Sequence, residues 1–162
     1  MKKDLRERLN FLVRVVTKEI RHLEYSTAQV FRIPFTPERA ALLTTDQILA
    51  EKVEAFVSRF CRLQDTLGDK LLPVWLQCLE EKTGAVIDNL DRAEKLGVLA
   101  SADKWLEIRQ LRNQMIHEYI DSPLILSNAI GEAGRFQTQL ISFANALIDD
   151  ACKRGMIDKP VG

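Results

Sequence analysis

The stretch Trp105-Leu-Glu-Ile-Arg-Gln-Leu-Arg-Asn-Gln-Met-Ile-His-Glu-Tyr-Ile120 repeats its apolar residues at steps of three and four. At about 100° per residue, Trp105, Ile108, Leu111, Met115, Ile116 and Tyr119 share one face of a helix. Arg112 projects into the middle of that stripe, while Gln110, Asn113 and His117 cluster on an adjacent polar flank. A guanidinium among apolar side chains is strongly disfavoured unless it is paired or meets an anion. Arg112 therefore needs a carboxylate, with Asp65 and Asp69 as candidates, or a bound phosphate, or a cleft at a subunit interface.

Outward from this helix the same period recurs. Leu5, Leu9, Leu12, Val16, Ile20 and Leu23 predict a first amphipathic helix over about residues 3–26. Ile33-Pro34 and Thr36-Pro37 break it, and Thr36 can cap a short turn with Pro37 as its first residue. Thr44 with Gln47 reads as a capping box for a long second helix through Val53, Phe56, Phe60 and Leu63. Pro73 should kink or restart that helix before it stops at Thr83-Gly84. A shorter helix follows, with Gly97 as its stop. Ser101 caps the helix of the opening stretch, and Pro123 opens a last one ending near Arg154-Gly155. No segment alternates long enough for a strand. The expectation is an all-α, single-domain antiparallel bundle of about five main helices. Residues 1–44 form the N-terminal helix and its Pro-containing connection, 45–154 the core it joins, and 155–162 a tail.

Composition narrows the classes of function. The 162 residues carry 23 Lys+Arg against 23 Asp+Glu, which argues against a protein that coats nucleic acid by charge alone. The first 21 residues nevertheless hold seven basic and three acidic side chains, an excess of 7 − 3 = +4. Such a helix can attract an RNA backbone or simply be a solvated face. Cys61, Cys78 and Cys152 form no C-x-x-C pair, so zinc-knuckle and thioredoxin-type chemistry is unsupported. No metal site or cofactor motif is expected: Walker, dinucleotide-glycine, H-E-x-x-H and EF-hand spacings are all missing. No run approaches the roughly 20 apolar residues of a membrane span, and charged residues interrupt any targeting core near Met1-Lys2-Lys3. A cytoplasmic protein is expected.

Arg112-Asn-Gln-Met-Ile-His117-Glu-Tyr119 resembles the R-x4-H-x-Y signature of HepT-like members of the HEPN superfamily. Arg59-Phe-Cys-Arg-Leu-Gln-Asp65-Thr-Leu-Gly-Asp69 on the second helix also resembles that family, and the likeness covers about residues 45–150. It implies a helical homodimer whose two signatures form one composite cleft. It also implies a metal-independent endoribonuclease toxin, and a small MntA-like nucleotidyltransferase as antitoxin, which attaches AMP to the tyrosine at position 119.

The residue types suit that chemistry. An unperturbed histidine changes charge near neutrality, so His117 is suited to move protons. Arg112 can hold the scissile phosphate bidentately and stabilise its developing charge. Asn113 can orient the phosphate or the histidine, and Asp65 and Asp69 can support Arg112. Arg112 and His117 lie about 140° apart around an ideal helix, so two facing copies would bring an arginine and a histidine together. Tyr119 stands two turns beyond Arg112 on the same face, near the phosphate position. Gly131 and Gly134 permit close helix approach, at a dimer seam among other places. Two other classes remain open at this point. One is a noncatalytic nucleotide- or substrate-binding subunit of a nucleotidyltransferase; the other is a helical adaptor with a structural Arg–Asp bridge.

Overall fold

The computed structural model describes residues 1–117 and 122–158, with side chains through Ile116 in the first stretch. Every regular element among the described residues is helical. The first helix, α1 (Lys3–Val30), buries Leu9, Leu12, Val13, Val16, Ile20 and Leu23 along one stripe. It runs four residues past the expected end at 26 because Val30 is itself fully buried. The Arg39 guanidinium then closes the helix end, donating to the carbonyls of Val30 at 3.0 Å, Ile33 at 2.9 Å and Pro34 at 3.2 Å. Carbonyls left over at a helix C-terminus gain from such a cation.

Thr36 caps the short α2 (Pro37–Ala41) as expected, accepting from the Arg39 backbone N–H at 3.3 Å. The box at Thr44 and Gln47 does not form. Leu42–Thr44 is a single 3-10 turn, and Asp46 caps α3 (Gln47–Thr66) by accepting from the Leu49 N–H at 3.0 Å.

The rod from Gln47 does not break at Pro73. It widens into a π turn at Leu67–Leu71 and resumes as α4 (Leu72–Cys78). A proline clashes with the carbonyl four residues back, and widening the turn relieves it. A Cβ on Gly68, inside that turn, would stand 3.4 Å from the Trp105 indole. After α5 (Val86–Lys95), Gly97 adopts φ +81°, a left-handed stop that suits glycine. Ser101 caps α6 (Ala102–His117), accepting from the Lys104 N–H at 3.2 Å. Ser122 caps α7 (Pro123–Lys153), which ends before Gly155 at φ +67°.

Contacts fix the directions of the long helices. Arg59 reaches the carbonyl of His22 and Oγ of Ser26, while Thr66 reaches Glu19, so α3 runs antiparallel to α1. Gly68 meets Trp105 and Asp65 meets Arg112, so α6 is antiparallel to α3. Phe31 packs on Gly134 and Arg6 pairs with Asp158, so α7 is antiparallel to α1. The Phe31 and Phe56 rings meet edge to face at 5.2 Å, Trp105 and Phe143 at 5.1 Å, and Trp75 donates to Asp150 across the core. Residues past Gly155 are more than a tail, since Met156 and Ile157 are buried. No described helix is long and apolar enough to cross a membrane.

Candidate functional site

Arg112 reaches from α6 to α3 and donates through one terminal nitrogen to Asp65 at 3.0 Å. The pair is half-buried, with 31% of the arginine and 43% of the aspartate side chain exposed. Arg112 thus sits at the edge of the apolar stripe and not in its middle. Trp105, Ile108, Leu111 and Met115 form the buried stripe; Ile116, expected among them, is 46% exposed. Of the two carboxylates expected to support Arg112, Asp65 does so. Asp69 lies exposed in the π turn and makes no ion pair among the described residues. The reason is geometric: Asp65 is one turn from Cys61 on the face that α6 covers, and the widened turn carries Asp69 away from it.

A groove of about 650 Å³ opens beside this pair, between α3 and α6. Val57, Cys61, Met115 and Ile116 supply its apolar wall, and Arg62 and Lys70 its cations. Glu54, Ser58, Asp65 and Thr66 add oxygen atoms. Burial pushes the Cys61 thiol up to about 11, against the pull of the nearby Arg112. Cys61 is therefore a protonated wall and not a nucleophile at neutral pH. Its position beside Arg112 was hidden in the sequence, where only its one-turn spacing from Asp65 signals a shared face.

Behind the groove, its lining residue Thr66 ties α3 to α1. Thr66 donates to Glu19 at 3.0 Å, and burial raises the Glu19 carboxyl above its ordinary value. That hydrogen bond and the charges of Arg62 and Lys70 oppose the rise, and Asp65 adds to it.

Asn113 and Gln110 are exposed on the flank of α6, as their spacing predicts. His117 ends α6 by its backbone, and its side chain lies outside the described residues, as does all of Tyr119. Gly134 serves contact within the chain: a Cβ there would stand 2.5 Å from the Phe31 ring. Gly131 faces only Arg135. No group of three or more His, Cys, Asp or Glu residues suited to a metal ion occurs among the described residues.

No family model, curated protein or solved structure matches this chain.

Proposed function

We propose that the chain is a metal-independent endoribonuclease, the toxin of a toxin–antitoxin pair, working as a homodimer with Arg112 and His117 at its cleft. The observation that carries this reading is the placement of Arg112. Asp65 accepts from one terminal nitrogen, and the buried Nε has no hydrogen-bond partner among the described residues. A partly exposed guanidinium, steadied by an aspartate that itself lines the groove and left with unused donors, suits a phosphodiester better than a purely structural bridge. The Arg112-x4-His117-x-Tyr119 spacing adds the proton-transfer group and the tyrosine.

In the proposed reaction His117 takes the proton of a ribose 2′-hydroxyl, whose oxygen attacks the adjacent phosphorus. The bond from phosphorus to the 5′-oxygen breaks, and that oxygen leaves with a proton from an acid or water. Arg112 neutralises the charge gathering on the non-bridging oxygens, and Asn113 orients the phosphate or the imidazole. A nucleotidyltransferase antitoxin silences the site by adding AMP to Tyr119, placing phosphate against Arg112.

The test compares wild type with His117→Ala and Arg112→Ala on RNA in the presence of a chelator. Cleavage by wild type alone supports the reading. If wild type leaves RNA intact under all oligomeric conditions, the reading fails. A second reading is favoured by the apolar wall of Val57, Met115 and Ile116, which suits a nucleobase in the groove beside the Asp65–Arg112 pair. It makes the chain a noncatalytic nucleotide-binding subunit of a nucleotidyltransferase. ATP binding without RNA cleavage, lost in Arg112→Ala, would select it.

A further inference from the structure

The outer face of α1 carries a pattern that neither the core nor the groove uses. At 100° per residue, Phe11, Arg14, Lys18, Arg21 and Tyr25 fall within about 80° of arc, spread over about 21 Å of helix. All five are exposed, the two aromatic rings at 54% and 64%. Arg14, Lys18 and Arg21 make no ion pair among the described residues. Carboxylates near this arc stand at its N-terminal end. Glu7 lies on it, facing Lys3 at 4.0 Å, and Asp4 about 20° outside it, whereas Glu19 turns inward to Thr66. Glu24 lies about 60° outside it.

On one side the arc ends close to α3, where Arg59 donates to the carbonyl of His22, about 20° beyond the arc's edge. Glu19, one residue from Lys18, feels the charges of Arg62 and Lys70, which line the groove beside Asp65 and Arg112. We propose that this face is a track for single-stranded RNA: Arg14, Lys18 and Arg21 follow the phosphates, Phe11 and Tyr25 stack on bases, and Arg62 and Lys70 lead the strand to Arg112. The choice of RNA as the strand rests on the ribonuclease reading above.

Cations at about one per helical turn suit a repeating anion, and exposed rings between them suit unpaired bases. An acidic protein would satisfy the cations and leave the rings without a role. An anionic membrane fits less well, because interfacial helices insert their apolar face. Here Leu9, Leu12, Val16, Ile20 and Leu23 are buried in the core.

The experiment measures binding of a fluorescent 2′-O-methyl RNA 20-mer to the full chain by anisotropy across a salt series. That strand lacks the attacking hydroxyl and stays intact. The triple variant Arg14→Gln/Lys18→Gln/Arg21→Gln should bind at least tenfold more weakly and lose about 2 from its log–log salt slope. Phe11→Ala/Tyr25→Ala should weaken binding about fivefold or more while keeping the slope. Circular-dichroism melts establish that both variants are folded. Kd within twofold of wild type for the triple variant, with the slope unchanged, overturns the track. So does competition by polyglutamate or phosphatidylserine vesicles equal to that by RNA, with no effect of the aromatic variant. Failure of cleavage by wild type, with the binding losses as expected, would remove the ribonuclease reading and leave the track standing.

Discussion

Arg112 and Asp65 share one hydrogen bond at a half-exposed edge, and pairs of that kind contribute about 0.2–1 kcal/mol. Arg112→Ala should therefore lower unfolding free energy by about 1 kcal/mol or less in urea titrations. A loss of RNA cleavage by orders of magnitude in the same variant would then report on the site and not on folding. Glu19 offers a test of the α1–α3 contact behind the groove. Its folded carboxyl holds a proton more tightly than its ordinary value of 4.5 allows, chiefly because burial disfavours the anion. A raised carboxyl contributes its stability below the unfolded value and loses it as pH climbs through the folded value. Glu19→Gln keeps an acceptor for Thr66 and removes the charge. Its urea midpoint should exceed that of wild type at pH 7.5, and the gap should close towards pH 4. A gap that is constant with pH would contradict this account.

Helix boundaries separate what local chemistry announces from what it leaves open. Thr36 followed by Pro37 carries both a cap and a pre-set first residue, and the cap forms where expected. Thr44 and Asp46 both suit the start of α3, and only the 3-10 turn at Leu42–Thr44 decides between them. Asp46→Ala should cost about 0.5–2 kcal/mol of stability, and Thr44→Ala only a few tenths, measured by thermal unfolding. Equal losses would return the cap to Thr44. Pro73 announced a disturbance in its helix but not its form. A kink and a π turn both relieve the same clash, and the seat of Gly68 on the Trp105 indole accompanies the second. Arg39 as the closing cation of α1 was invisible, because it acts across nine residues through a loop.

Across the whole molecule, α7 lies against the end of α1 at Gly134, where the Phe31 ring occupies the space a side chain would need. Gly134→Ala should cost about 1–3 kcal/mol and lower Tm, whereas Gly131→Ala, which would meet only the tip of Arg135 at 3.9 Å, should be neutral or stabilising. The reverse ranking would refute close packing here. The 3.6-residue period, the prolines and the caps were enough to determine an all-helical chain and the order of its helices. They also selected Arg112, because a charge on an apolar stripe demands a partner whatever the topology. Which of Asp65 and Asp69 supplies it depended on the widened turn before Pro73. The position of Cys61, the groove with its Arg62 and Lys70 wall, and the tie of Thr66 to Glu19 depended on antiparallel packing. Periodicity tells each helix which side to bury; only the contact of three helices decides which polar groups, on their remaining sides, come to face one another.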